Sequence, residues 1–506
     1  MVSSFMIFFA SQNLFAQAYG GANDDDALSI IQTEDNGYVV TGWTTSFGSG
    51  YEDLLVFKLN PYASLVWAST YGGAGRDLAY TIIQTSDGGY AVAGYSWSFS
   101  VGGSDCLFLK LNSDGSLDWA RTYGETNLND FLRSIIQTSD GGYAILGSAY
   151  SSVTDSYDFL LIKLNQDGSI NWARTYGGTG AEEGYSIIQT TDGGYVVVGY
   201  TMSFGPGDAD FLILKIDSDG SIVWAKTYGG TAHDYPRSIT QAPDGGYAVA
   251  GSTKSFGAGN DDFLILKLNS DGSLVWARTY GGADYDYANS IIMTSDEGCA
   301  IAGVTSSFGA GIYDNFLIKL NSDGSLAWAR TFGGWSSDDA SCLIQATDGG
   351  YVVAGETWSF GAGRYDFLVF KLSSDGSYPG CVQDCSPIVH DVSPLTSVPS
   401  VVSAVSSLHT SSPSLTITTP NLGITDACQP VVVEESVSYG KEGITYSPVI
   451  GGVLFVSAEA MAIKIYSADG KLAYSGELRK GKNRINLDAG VYFWHAGQFK
   501  GKAVVR

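Results

Sequence analysis

Short apolar runs separated by Gly-rich turns recur along most of this chain at a spacing of about 52 residues. Residues 228–280 display the pattern: SITQA, GYAVAGST, DFLILKLN and LVWARTY, with PDGG between the first two runs and NSDGS between the last two. Both connections carry tight-turn chemistry, because Gly supplies a positive φ and Asp bonds its own backbone. DFLILKLN is apolar on both faces, as a strand packed between two sheets must be. The YGG-type starts fall at Tyr19, Tyr71, Tyr123, Tyr176, Tyr228, Tyr280 and Phe332, so there are seven copies. One four-stranded sheet per 40–50 residues, with Gly and aromatic residues at fixed places, is the signature of a propeller blade. The expected fold is all-β: a seven-bladed β-propeller of four-stranded blades over residues 19–385, followed by a linker and a small C-terminal β-sandwich.

The DGGYVVAG-type hairpin, the DFLxxKLN strand and the DGSLVWARTYGG segment resemble the bacterial SBBP-type seven-bladed β-propeller repeats, and more loosely the delta-type repeats of surface proteins, over roughly residues 19–380. That resemblance implies a fold and no single activity. The five-residue Asp-to-Trp spacing, as in Asp114 to Trp119, resembles the Asp-box of sialidase-like propellers, although Gly follows Asp directly here. It is superficially similar to the tryptophan-docking repeat of quinoproteins as well. Both likenesses concern blade packing, since a large ring buries much apolar area against its neighbour.

The two ends read differently. Residues 1–18 hold a short apolar run, Phe5 to Ala10, and then Ala16-Gln17-Ala18, the small-x-small pattern of a signal peptide cleaved after Ala18. A competing reading keeps this segment: LFAQAY at 14–19 aligns with VWASTY at 66–71, the last strand of a repeat. The seventh copy lacks its own Trp strand, with Gly380 where Trp is expected, so the segment would complete it. Residues 386–433 contain no Lys or Arg and six of the chain's twelve prolines, which reads as an extended Ser/Thr/Pro-rich linker with room for a short strand at SLTIT. Residues 434–506 alternate polar and apolar positions around Gly turns, predicting a compact β-sandwich. Ile463-Lys464-Ile465-Tyr466, Gly470-Lys471, Gly490-Val491-Tyr492-Phe493 and the basic end Lys502 to Arg506 resemble the type A sorting domain of the type IX secretion system. The resemblance implies that machinery as a partner, and a secreted or cell-surface, extracellular location. An accessory adhesion module of the same shape is the alternative.

Charge removes one class of partner. Residues 19–385 hold 17 Lys/Arg against 43 Asp/Glu, and such a body repels phosphate backbones, which excludes nucleic acid. No stretch of about 18 apolar residues offers a membrane span. Cys106, Cys299 and Cys342 sit singly in repeats and read as buried thiols; Cys381, Cys385 and Cys428 could supply one bridge in an exported protein.

Aligned copies separate scaffold from site. An acid precedes every first strand (Asp25, Asp77, Asp130, Glu182, Asp234, Asp286, Asp338), and 28 residues later an Asp opens the third (Asp53, Asp105, Asp158, Asp210, Asp262, Asp314, Asp366). Five residues further stands a Lys: Lys58, Lys110, Lys163, Lys215, Lys267, Lys319 and Lys371. Two carboxylates per blade could hold a cation or act as an acid/base pair. Sevenfold repetition argues instead for a structural role, with these acids pairing the lysines, because an unpaired buried charge is costly. Trp67, Trp119, Trp172, Trp224, Trp276 and Trp328 read as blade packing, and the strand glycines, such as Gly94 and Gly251, as points of close approach.

Function belongs where the copies differ. Three residues after the strand glycines stand Thr45, Trp97, Tyr150, Met202, Lys254, Ser306 and Trp358, and Trp335 and Trp43 add aromatics nearby. Trp43, Trp97, Tyr150, Trp335 and Trp358 are the candidate ligand-binding arc, a kind of surface that often marks recognition; packing under the loops is the alternative. No HExxH, nucleophile elbow, phosphate loop or zinc-spaced CxxC pair appears, so no catalytic residue, metal or cofactor is assigned. The leading reading is a non-catalytic binding or adhesion module for a glycan or protein on the loop face. The alternatives are a carbohydrate-active hydrolase or lyase using loop-face carboxylates that differ from the other six copies, and a structural surface or matrix component.

Overall fold

The structure is a computed structural model that describes residues 13–100, 102–125, 127–152, 155–378 and 380–393, then Lys471 and the later strands named below. Seven antiparallel sheets are built from the seven copies. In blade 1 the strands are Asp25–Gln32, Tyr38–Thr44, Asp53–Leu59 and Leu65–Gly72, paired in that order. First strands of consecutive blades are neighbours all the way round, blade 7 to blade 1 included, so they enclose the axis. Third strands such as Asp210–Ile216 are buried along their whole length. This is an all-β, seven-bladed propeller.

Residues fixed in every copy hold blades to one another. Trp67 lies against the turn of the next blade, where a Cβ on Gly115 would stand 2.8 Å from its ring; Gly115 has φ 82°, so Gly serves both sterics and backbone there. The YGG tyrosine beside it donates its hydroxyl to the same turn: Tyr123 to the Gly168 carbonyl at 2.6 Å, Tyr176 to Gly220 at 2.7 Å and Tyr280 to Gly324 at 2.6 Å. Blade 6 lacks that hydroxyl, and Phe332 instead stacks on Phe370 of blade 7 at 4.3 Å. At Gly94 in a second strand, an added Cβ would meet the Leu78 carbonyl at 1.8 Å, next to the bulge in that blade's first pair.

The lysines do pair, but not with the acids that the alignment suggested. Each reaches along its blade to the Asp of the first hairpin turn: Lys58 to Asp35 (2.5 Å), Lys110 to Asp87 (2.9 Å), Lys215 to Asp192 (2.9 Å) and so on through Lys371 to Asp348 (2.5 Å). The two aligned acid series bind loop backbone and hydroxyls instead. Asp25 accepts from Gly21 N (2.7 Å), Ser46 Oγ (2.8 Å) and the Thr44 hydroxyl, while Asp53 accepts from Ser49 N (2.8 Å) and Gly50 N (3.1 Å). The lysine sits at the end of its strand opposite these loops, so the strand itself separates the two charges.

Two further departures concern the ends. Phe15–Gly20 forms the fourth strand of blade 7, paired with Asp366–Leu372, and Tyr19 makes the same latch as its counterparts, to the Ala63 carbonyl at 2.6 Å. Ring closure therefore uses the segment that cleavage after Ala18 would mostly remove. Residues 386–433, read as a linker, contribute most of a series of short strands running over 383–426, and each pairs with the outer strand of one blade. Val382–Ala427 accordingly belongs to the propeller unit.

The second compact unit holds Pro379–Cys381 and Cys428–Arg506. Its strands form two sheets. One contains Ile444–Val449, Gly452–Ser457 and Gly481–Asn486; the other contains Met461–Ser467, Leu472–Leu478, Gly490–Ala496 and Phe499–Val505. Among the described residues no helix is long and apolar enough to cross a membrane.

Candidate functional site

The first strands present alternate side chains to the axis. The residue just after the fixed acid differs from blade to blade: Asp26, Leu78, Phe131, Glu183, Tyr235, Tyr287 and Asp339, all partly exposed except the buried Leu78. Across the first pair stands the residue just after the strand glycine: Trp43, Tyr95, Ser148, Tyr200, Ser252, Val304 and Glu356. These pairs stand at the ends of the axis-enclosing strands on the side of the fixed acids and the loops they bind, and the partly exposed members among them mark the axial mouth.

Blades 2 to 5 make one wall of rings and guanidinium groups. Tyr80 meets Tyr95 (5.9 Å between centroids), Tyr95 meets Phe131 (5.2 Å), and Phe131 meets Tyr157 (5.6 Å), which contacts Tyr150 (5.3 Å). A second set runs from Tyr185 to Tyr200 (6.2 Å), Tyr235 (5.2 Å) and His233 (5.6 Å). Arg133 joins them, 5.1 Å from the Tyr80 ring and 4.7 Å from Tyr185, with Glu183 at 3.4 Å; Arg237 also lies over the Tyr185 ring, at 4.5 Å. Cation–π geometry of this kind orders a guanidinium without neutralising it.

Blades 7 and 1 supply the opposite sector, and it is acidic. Asp339 stands directly across from Glu356, and Asp26 across from Trp43, whose side chain hydrogen-bonds it. Directly opposed residues of an antiparallel pair have Cβ atoms only about 5 Å apart. Among the described residues, Oδ1 of Asp24, Asp26 and Asp339 is buried with no hydrogen-bond partner. Burial, and after it the neighbouring Asp338, pushes Asp339 up to about 6. Burial also raises Asp26, helped by Asp339, and raises Glu356, helped by Asp26, Asp339, Asp24 and Asp338. The sector therefore holds protons at neutral pH, as crowded carboxylates do, and it offers both hydroxyl donors and charged acceptors to a ligand.

The five aromatic candidates fall into separate places. Trp43 lies among the carboxylates, and Tyr150 ends the first ladder, its hydroxyl on Asp155 Oδ1. Trp358 packs on Tyr365 (5.2 Å) and is 42% exposed; Trp97 and Trp335 stand on the loops at 48% and 72%. Trp43 apart, the strand positions at the mouth were not among the sequence candidates. In the alignment these are two positions, each beside a fixed residue, at which the copies differ, with Asp26 in blade 1, Glu183 in blade 4 and Asp339 and Glu356 in blade 7 as the carboxylates; their meeting at one opening depends on the closed ring.

One comparison with known proteins, to a family model, agrees with the architecture. A family model described as a domain of unknown function (DUF5122) beta-propeller matches residues 85–118, 242–274 and 300–326. The regulatory protein FlaEY of Caulobacter vibrioides is 27% identical over 228 residues, which covers 39% of this chain and 23% of that protein. Among solved structures, Sqt1 from Chaetomium thermophilum is 13% identical with a TM-score of 0.40, covering 67% of this chain and 81% of that one. A protein of unknown function from Dyadobacter fermentans is 11% identical with a TM-score of 0.39, covering 71% and 98%. The chain is a β-propeller repeat protein.

Proposed function

We propose that this protein is an exported binding module that takes a glycan in the axial mouth, without catalysis. The observation that carries the reading is the pair of ring ladders, joined by Arg133, facing a sector of carboxylates. Flat rings offer apolar faces to sugar C–H groups, while carboxylates accept hydrogen bonds from hydroxyls. The test is an immobilised panel of neutral and acidic polysaccharides, probed with wild type and a Tyr95→Ala/Tyr157→Ala variant. Wild type is expected to retain a subset of glycans, and the variant to lose about tenfold or more in affinity, as for removal of central aromatic anchors. Unchanged binding by the variant would sink the assignment of the site.

A second reading is favoured by one observation. The Asp339–Glu356 pair, with Asp26 near, is an acid/base arrangement present in one sector alone, as a carbohydrate-active hydrolase or lyase requires. Release of sugar from a polysaccharide, abolished by Glu356→Gln, would favour it over binding alone.

Export completes the proposal. Cys381 is disulfide-bonded, chemistry that persists in oxidising compartments, and residues 434–506 carry the resemblance to a type A sorting domain. Fractionation of cells expressing the chain with and without residues 434–506 tests this: the shortened chain should stay inside the outer membrane, and its appearance at the surface would contradict the assignment.

A further inference from the structure

The short strands over 383–426 follow a strict metre. Opposite the YGG tyrosines Tyr280, Tyr228, Tyr176, Tyr123, Tyr71 and Tyr19 stand Val389, Thr396, Ser403, Thr410, Ile417 and Ile424. Each lies seven residues after the last. Before them, Gln383 and Asp384 pair with Thr331 and Arg330 of blade 6. The segment thus passes blades 6, 5, 4, 3, 2, 1 and 7 in turn, always antiparallel to the outer strand, and makes one circuit against the order of the blades. Two ion pairs fasten its start, Arg330 to Asp384 (2.5 Å) and Arg278 to Asp391 (2.6 Å). Seven extended residues span roughly 23 Å, enough to step from one blade rim to the next.

A full circuit brings its two ends to one place. The first strand lies on blade 6 and the last on blade 7, its neighbour. Cys381 stands two residues before the first strand and is disulfide-bonded, while Cys106, Cys299, Cys342 and Cys385 are free thiols. Of the six cysteines only Cys428 is left, two residues past the end of the last strand at Asp426.

We propose that residues 381–428 are a covalently closed girdle: a Cys381–Cys428 disulfide joins the ends of the segment, so that the propeller is held within a loop of its own chain. The girdle strands are two to four residues long, too short to persist singly. Fixing both ends makes each short pairing depend on the others, because a strand that lifts off cannot drift away. The girdle also covers the outer sheet edges, which otherwise invite pairing with other chains.

Peptide mapping of the unreduced, thiol-blocked protein should recover Cys381 linked to Cys428; a link from Cys381 to Cys385, or none, would overturn the proposal. Hydrogen exchange of the full chain, before and after dithiothreitol, tests the consequence. The reagent supplies two electrons and two protons, leaving two protein thiols and a cyclic disulfide. Girdle amides should then exchange about tenfold faster or more, while those of Asp210–Ile216 keep their rate. Equal girdle exchange in both forms would contradict the locking role. Cys381→Ser should match the reduced protein; if that variant does not fold, reduction of folded wild type gives the same reading.

Discussion

Lys215 shows how one side chain can be apolar and charged at once. Its stem is buried in the third strand, and its ammonium reaches Thr190 Oγ1 (2.8 Å) and Asp192 (2.9 Å), a largely exposed carboxylate. The two halves of this pair should therefore respond unequally. Asp192→Ala leaves a buried cation and should cost about 3 kcal/mol, whereas Lys215→Met keeps the packing, leaves a solvated anion and should cost about 1 kcal/mol. Denaturant titration of both variants checks this; equal losses would contradict it. Tyr280→Phe removes one latch and should cost about 1 kcal/mol, since the Gly324 carbonyl loses its donor. The need for a lysine partner was legible from the apolar strand around it. Its identity was not, because four acidic series repeat with one period, and two of them, the Asp35 type and the Asp114 type, lie in turns at the lysine's end of the blade.

Among the elements, the blade was the most legible, since alternation and turn chemistry are local. The closing strand Phe15–Gly20 was legible as an alternative, because LFAQAY keeps the register of VWASTY. The girdle was not: its seven-residue metre is carried by unlike residues, such as Val389, Thr396 and Ser403, and its partners lie across the chain. A truncation that begins at Tyr19 removes Phe15, Ala16 and Ala18 from the core and exposes the edge of Asp366–Leu372. It should lose about 3 kcal/mol or more. Thermal unfolding of the truncated and full chains measures this, and unchanged stability would mean that the ring does not depend on that strand.

At the scale of the molecule, acids buried between blades set the response to pH. Asp210 of blade 4 and Asp234 of blade 5 bound the space beside Gly229, where an added Cβ would lie 1.8 and 2.9 Å from their oxygens. Burial, chiefly, raises Asp158, Asp210, Asp286, Asp314 and Asp366 to about 6 and Asp130 to about 7. Folded protein then holds protons that the unfolded chain releases near pH 4, so stability falls as pH rises from about 4 to 7. The turn acids act in the other direction. Although burial opposes it, bonds from Lys58, Thr33 and Gly37 lower Asp35 to about 2, and Asp87 and Asp140 are lowered in the same way, so their contribution disappears as pH falls from about 4 to 2. The melting temperature should peak near pH 4–5, and Asp210→Asn should flatten the upper limb; a maximum at pH 8 would contradict this. The propeller was legible from seven copies, but the mouth was not. It is made by unlike residues, Asp26, Asp339 and Glu356 against Tyr95, Phe131 and Tyr157, which only ring closure brings face to face. The most direct measurement of the central claim is hydrogen exchange of the full chain with and without a polysaccharide retained from the panel. Protection confined to the first strands and to Tyr157 and its neighbours is the predicted result. Protection at the Asp35 and Asp192 turns instead, or none with any polysaccharide, would contradict a glycan site in the mouth.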